Sequence, residues 1–521
     1  VSSERPFHRR VLRNSVAGLA ANIWAIAVAL ITLPLMVHGL GLANFGRWVL
    51  LQTMSASTGW LVMLDGGLAV AGTRLVSTRA AVARHEGTGS AIGTTMTTFV
   101  ALGTISAGIC LALAWPVLEA LGRIPADEVA AAHAAALLLS LQVAGEFLQQ
   151  GAEACLEGLQ RLDLSRGVDA IRRTLFYGST AAVAMSGGSL REVETAAVVA
   201  SALGALIGIA VLAAQRPPRL ALSAGDLREM LTYASKVVLL RPISAIYALM
   251  NRVIVGAVLG PAPVSAVEVA TQLGNGANAV VAGITAALVP SSAWVDARGD
   301  RNKLTVTLLT GTRYALVLSW PLAAGVAMLA SPGIRLWVGP VLAATASRAT
   351  QVAMAASAVT AIGQVSGNIL LGVGRGGVIV RVATVGVIVN LAASVALVYP
   401  LGVAGVFWGT LIAAAVTTPW IVVATCRYCD THPRQFLAKA VAPPLVPALA
   451  ELAVLGLVDA LGLRPAATLA LGVPLGAVVA AAATLRWALP ADEVAGLWRS
   501  LRRGAGSATT PDAPSDGMEL H

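Results

Sequence analysis

Apolar runs long enough to cross a bilayer alternate with short polar loops along the whole chain, and fourteen such runs can be counted. Roughly 20 apolar residues span a bilayer core as a helix. In chain order the runs are 14–37, 44–71, 91–118, 131–153, 168–187, 194–214, 233–259, 264–289, 311–330, 344–371, 378–399, 402–425, 440–461 and 466–487. Stretches such as LVLSWPLAAGVAMLA (316–330) are apolar all round, as a helix in lipid should be. A closed barrel would need period-two alternation, which the chain lacks. The pattern predicts an all-α polytopic membrane protein with about 14 transmembrane helices. The Ala-rich fourth, sixth and tenth runs are expected to be the least apolar.

The basic residues order these loops. Arg5, Arg9, Arg10 and Arg13 precede the first run, and Arg74, Arg79 and Arg84 follow the second. Arg161, Arg166, Arg172 and Arg173 lie before or at the start of the fifth run, and Arg216, Arg219, Arg228 and Lys236 follow the sixth. Arg298, Arg301, Lys303, Arg313, Arg375, Arg381, Arg427, Arg434, Lys439 and Arg486 continue the series on the same side. The opposite loops hold only Arg123, Arg191, Arg335, Arg348 and Arg464, with Arg47 at a helix end. By the positive-inside rule both termini are cytoplasmic and the span count is even. On this reading, only Arg241 and Arg252 lie well inside a span.

Composition agrees. The 521 residues are 57% hydrophobic and 12% charged, with a mean hydropathy of +0.77. About 25% charged residues is usual in soluble domains. The net charge of +10 would suggest nucleic acid in a soluble chain. Here the cations flank the spans, where they set topology and meet anionic headgroups, so no nucleic-acid partner is expected. Four Cys give no disulfide framework. The polar start leads into a full span without a cleavage site, so no cleavable signal is expected. Arg over Lys and abundant Ala, Val and Gly point to a GC-rich bacterial genome, hence to a bacterial cytoplasmic (inner) membrane.

Residues 215–232 form a polar break, with Pro217 and Pro218 stopping the helix before it. This divides the chain into 1–214, a cytoplasmic linker 215–232, 233–430, two further helices in 431–488 and a polar tail 489–521, expected to be disordered. HGLGLANFGRWVLLQ (38–52) resembles GAVLGPAPVSAVEVATQ (256–272) at an offset of about 219. In both, a run ends in a Leu-Gly turn from which the next run departs. Such repeats place a substrate path at their interface.

Several turns resemble a known family. They are LGLANFGRWVLLQT (40–53), MLDGGLAVAGTRLVS (63–77), MNRVIVGAVLGPAPVSAVEVA (250–270), ALVPSSAWVDARGDRNKL (287–304) and LLGVGRGGVIVRVATVGVIVNLAASVALVYPLGVAGVFWGTLIA (370–413). In order and spacing they resemble Wzx-type oligosaccharide-lipid flippases of the MOP exporter superfamily, over roughly residues 10–430. Asn251 departs from the pattern, standing where relatives often carry Asp. The resemblance implies two six-helix, MATE-like bundles around a central cavity, plus two C-terminal helices. It also implies alternating access that moves a polyprenyl-pyrophosphate-linked sugar to the outer leaflet. Lipid-linked oligosaccharide and membrane lipid are then the expected partners. A polysaccharide polymerase and glycosyltransferases would act beside it, and a proton or sodium ion would drive it. No cofactor, metal or enzymatic activity is expected. A peptidoglycan-precursor flippase or a drug/cation antiporter would share the fold. A polyprenyl-dependent glycosyltransferase or polymerase would need a larger outer loop or paired carboxylates.

A pyrophosphate headgroup needs cations inside the membrane, and Arg offers a planar fork that stays charged. Arg241 and Arg252 are eleven residues apart, close to three turns and about 16 Å along one helix face. They face a cavity or snorkel to opposite interfaces, and Arg252 could also pair with Glu268 on the next helix. Asn251, Asn275 and Asn278 are candidates for a sugar path. Asn368 and Asn390 could join them or serve as interhelical hydrogen-bond partners. Candidates for coupling or gating are Asp65 and Arg74 in the matched segment, with Glu146 and Glu153. The latter two lie on a stripe with Gln142 and Gln149 that continues through Glu157 to Arg161, so the stripe is expected to be a helix end reaching into water. Gly363/Gly367 and Gly204/Gly208 read as close-packing faces. Trp60, Trp320 and Trp408 are candidates for stacking on sugar, and Trp337 and Trp498 suit interfacial anchoring. GVGRGG (372–377) lacks the Lys-Ser/Thr of a nucleotide loop, and Cys426-x-x-Cys429 lacks a second ligand pair.

Overall fold

A computed structural model describes residues 4–57, 59–82, 85–216, 222–237, 240–285 and 288–489. All regular elements among them are helices. The first half comprises α1 (Glu4–Gln52), α2 (Leu68–Ala81), α3 (His85–Gly122), α4 (Val129–Gly158), α5 (Leu162–Met185) and α6 (Leu190–Gln215). After α7 (Ala224–Val237) come α8 (Leu240–Leu259), α9 (Pro261–Thr285), α10 (Leu288–Ala297), α11 (Arg301–Met328) and α12 (Ala330–Trp337). The second half closes with α13 (Pro340–Gly372), α14 (Gly376–Leu401) and α15 (Val403–Tyr428). The one-turn α16 (Pro433–Phe436) then leads through a π-helical turn to α17 (Ala442–Ala460) and α18 (Pro465–Ala483), which pack on α11 and α12.

Every predicted run coincides with a helix or a broken pair. Among the described residues, nine helices are long and apolar enough to cross a bilayer unaided. Four of the other five runs fall short for physical reasons. The second continues α1 beyond Gly41, leaves the helix over 53–57 and at Gly59, forms a 3-10 segment at Trp60–Asp65 and resumes as α2. The fifth carries Asp169, Arg172 and Arg173, and of the seventh the described apolar part is Ala245–Leu259. The eighth carries Glu268, Gln272, Asn275 and Asn278, and the ninth bends by 67° between α11 and α12. The fourth and tenth are indeed the least apolar of the nine, but the sixth is the most apolar, because Leu, Ile and Val outweigh its alanines.

The linker is not merely polar. Residues 224–237 form α7, and α8 is described from Leu240, with 238–239 between them outside the described residues. Leu227, Met230 and Ala234 make an apolar stripe, with Met230 and Ala234 buried against Ala71. Asp226 fixes it by accepting from Arg79 (2.8 Å) and Ser90 (2.8 Å). Of the predicted tail, 490–521 lies outside the described residues.

The sequence repeat takes physical form where the halves meet. Gly41 (φ 73°) and Gly260 (φ 98°) make equivalent left-handed turns, one between the first two spans and one between the seventh and eighth. From these turns Ser265 Oγ donates to the Leu42 carbonyl (2.8 Å), while Gly46 lies directly against the Pro261 carbonyl. With an offset of 219, Leu42 corresponds to Pro261 and Gly46 to Ser265. Reciprocal contact between such pairs is the mark of a two-fold axis. The crossing lies on the Arg-poor side. There Arg123 also reaches from the first half to the carbonyls of Val258 (3.1 Å) and Leu259 (3.3 Å). Trp337 Nε1 donates to the Leu30 carbonyl (2.9 Å), a further bond between the halves.

Close packing uses small residues, and of the expected pairs Gly204 and Gly208 of α6 do lie against α4 and α5, where Gln149, Arg172, Ala152 and Val168 approach them. Gly367 faces open space, whereas Gly405 and Gly409 of α15 admit the backbone and Ser394 of α14 into contact. That pair, GVFWG, has the same i, i+4 spacing and was legible in the sequence.

Candidate functional site

A cavity of about 940 Å³ opens between the halves. α1 and α5 wall it on one side, and α8, α9, α13, α14 and α15 on the other. Asn251, Arg252, Asn275 and Asn278 all line it. Asn251 Nδ2 donates to Thr410 Oγ1 (3.4 Å), and its buried Oδ1 has no hydrogen-bond partner. Arg241 belongs to the first turn of α8, and its side chain lies outside the described residues.

The charge pattern misplaces two cavity residues. Arg172 and Arg173 count as loop cations by sequence, yet both sit near the middle of the 24-residue α5 and line the cavity. Asp169, one turn earlier, holds both, with Arg172 Nη2 at 3.1 Å and Arg173 Nε at 2.9 Å. Helical spacing of Asp169, Arg172 and Arg173 inside the fifth run was the available signal. Opposite them, Arg252 on α8 pairs with Glu268 on α9 at 2.8 Å. The expected alternatives for Arg252 therefore coexist: it is paired and it faces the cavity. Tyr177 of α5 lies within electrostatic reach of Arg172, Arg173, Arg252 and Glu268, so cations from both halves converge on one region.

The polar stripe of α4 is buried and does not reach into water. Gln142, Glu146 and Gln149 are at most 3% exposed. The interruption at 53–59 explains this, because unwound backbone at membrane depth needs internal partners. Glu146 Oε2 accepts from the backbone N–H of Ala56 (2.7 Å) and Ser57 (2.9 Å), and Oε1 from Ser57 Oγ (3.0 Å) and Gln142 Nε2 (2.8 Å). Gln150 Nε2 donates to the Ala56 carbonyl (3.1 Å). Gln52 extends the network to buried Glu194 (3.0 Å). Gln52, Ser57 and Gly59 line the cavity, so the break forms part of its wall. Neither Gln52 nor Glu194 stood out in the sequence.

The remaining candidates sit elsewhere. Asp65 is buried at the end of the 3-10 segment that precedes α2 and accepts from Ala69 N (2.8 Å). Arg74 lies over the Tyr233 ring of α7 at 4.5 Å, outside the cavity. Glu153 accepts from Gln149 (2.7 Å) behind the cavity wall. Asn368 and Asn390 make interhelical bonds, to the Thr285 carbonyl and to Thr410. Trp60, Trp320 and Trp408 are not on the wall; Trp320 is tied to the Ala358 carbonyl, and Trp48 is the cavity tryptophan. Trp48, Phe176 and Tyr177 form a run of neighbouring rings, with centroids 6.1 Å and 5.3 Å apart. Gly372–Gly377 joins α13 to α14. Cys426 and Cys429 are buried free thiols, and burial pushes the Cys429 thiol up to about 11.

The model of the family described as "Polysaccharide biosynthesis protein" matches residues 78–341, which include cavity residues from both halves. The chain belongs to this polysaccharide biosynthesis family. No curated protein matches it in a sequence search. Solved structures similar to this family member include the lipid II flippase MurJ in an inward closed conformation. That likeness has a TM-score of 0.69 at 13% identity, over 94% of this chain and 99% of MurJ. An inward-facing multidrug resistance MATE transporter gives 0.64 at 16% identity, over 78% and 96%. A MOP superfamily transporter from Pyrococcus furiosus gives 0.58 at 16% identity, over 81% and 95%. The polysaccharide biosynthesis protein thus has the fold of the MOP superfamily.

Proposed function

We propose that the protein is a flippase for a polyprenyl-pyrophosphate-linked oligosaccharide, working by alternating access between its two halves. The observation that carries this reading is the convergence of Arg172, Arg173 and Arg252 on one cavity. Intramembrane charges are costly and belong where a substrate or pore requires them. Three guanidinium groups suit a diphosphate and oppose a cationic drug. Asn275, Asn278 and Gln272 offer hydrogen bonds to sugar hydroxyls, and the Trp48–Phe176–Tyr177 rings offer stacking faces. The inter-half contacts gather on the Arg-poor side, which the charge rule makes the outer one. The cavity in this conformation would therefore receive substrate from the cytoplasm. A bacterial inner membrane with cytoplasmic termini, and glycosyltransferases and a polymerase as pathway neighbours, complete the reading. A peptidoglycan precursor shares the headgroup chemistry; a polymer-specific phenotype separates the two.

Cells lacking the protein should accumulate cytoplasm-facing lipid-linked sugar and lose surface polymer. Normal polymer in such cells, with no second flippase present, would refute the proposal. Arg173→Ala and Arg252→Ala should each lower export by about tenfold or more, since a hydrogen bond to a charged group contributes about 1.5–3 kcal/mol. Protein amounts in the membrane should be unchanged on immunoblots.

A further inference from the structure

Glu268 is the one acidic residue on the described cavity wall, which carries three arginines. It is buried, lies 2.8 Å from Arg252 Nη2, and its other oxygen accepts from Gln272 Nε2 (2.8 Å). Arg252 is only partly used by this pair, because its buried Nε has no hydrogen-bond partner. A guanidinium presents two donor edges, and here an unpartnered, buried donor lies on the same group as an occupied one. Resting on the reading that the cavity takes a phosphate headgroup, we propose that Glu268 is a built-in competitor for the substrate's phosphate. It neutralises Arg252 while the cavity is empty and gives way when the substrate's anion arrives.

The physical reason is that two anions on one guanidinium repel each other in a poorly solvated site. A phosphate that takes the Nε edge raises the cost of keeping Glu268 ionised. The conflict is relieved when the carboxylate takes a proton from cavity water and becomes a neutral carboxylic acid. Release of the anion reverses the step, and the proton returns to water. Phosphate binding and protonation of Glu268 are then reciprocally linked.

The surroundings leave Glu268 as the wall group able to make this exchange. α8 presents Arg252 and Tyr247, and α5 presents Arg172, Arg173 and Tyr177; neither tyrosine is an acid in the carboxylate range. The wall residues of α1, α13 and α15 include Ala25, Ser357, Thr360 and Thr410 and no ionisable side chain, and α11 contributes none. Asp169 is already held by both Arg172 and Arg173.

The test is calorimetric titration of the purified full-length protein with inorganic pyrophosphate at pH 7, in buffers of different ionisation heat. Glu268→Gln should bind pyrophosphate about tenfold more tightly than wild type, within the usual range of coupling between two ligands. Wild type should also take up a proton on binding that Glu268→Gln does not, and Glu268→Asp should keep that uptake. Arginine-dependent binding in wild type, lost in Arg173→Gln, with no gain in Glu268→Gln and equal proton uptake, would overturn the proposal and leave the flippase reading standing. Absence of arginine-dependent binding in both proteins, each monodisperse on size exclusion, would overturn both.

Discussion

Replacing Gly46 by alanine is expected to abolish export while leaving the protein in the membrane. Gly46 lies at the pseudo-two-fold crossing, and a methyl there would overlap the Pro261 carbonyl oxygen. The obstacle is backbone, so no side-chain rotation relieves it. Overpacking a well-packed contact costs about 1–3 kcal/mol, and a cost of about 3 kcal/mol shifts a two-state equilibrium by roughly 150-fold. On the proposed alternating access, only the outer-closed state needs this contact, so the outward-open state gains at its expense. Polymer output should fall by more than about tenfold by this arithmetic. In the same variant, Asn275→Cys should become reactive from outside to a membrane-impermeant maleimide. The native cysteines are all buried, so background labelling is low. Normal output with no labelling of Asn275→Cys would show that the crossing does not gate the cavity.

That crossing was visible in the sequence only as a faint echo between residues 38–52 and 256–272. The echo located both Leu-Gly turns, because a left-handed turn between spans restricts residue choice. It did not show that the turns touch, since contact depends on how two bundles dock. The order of the fourteen runs was legible for a stronger reason: lipid requires long uninterrupted apolar stretches. Runs that depart from that requirement reveal the functional region. The second run breaks at 53–59 and the fifth carries three charges, and both tolerate this because they face the cavity or its supporting network.

Arg172 and Arg173 show why charge segregation misleads near a site. The rule treats a cation close to a span boundary as a topology signal. On α5 the boundary lies a turn and a half earlier, at Leu162. The arginines therefore sit at cavity depth with their own counter-ion. Arg252 was legible because no boundary lay near it. The glutamates of α4 misled in the opposite sense: a stripe that continues to Arg161 reads as solvated, and only the broken helix beside it explains its burial.

Glu146→Leu is expected to prevent accumulation of the folded protein, whereas Glu146→Gln should accumulate. The carboxylate accepts four hydrogen bonds, two of them from the unwound backbone at Ala56 and Ser57. Each buried donor left without an acceptor costs about 1–3 kcal/mol. Losing all four amounts to roughly 4 kcal/mol or more, a large share of the about 5–15 kcal/mol that stabilises a typical domain. Leucine supplies no acceptor, and lipid offers no water in its place. Glutamine keeps one oxygen, enough for the two backbone N–H groups that Oε2 now serves. Its amide opposes the Gln142 Nε2 donor, so a partial loss of thermal stability should remain. Fluorescence-detected size exclusion of tagged variants after graded heating measures both effects. Equal melting of Glu146→Leu and wild type would mean that the break at 53–59 is held by Gln150 and its own turn bonds, with Glu146 free for another role.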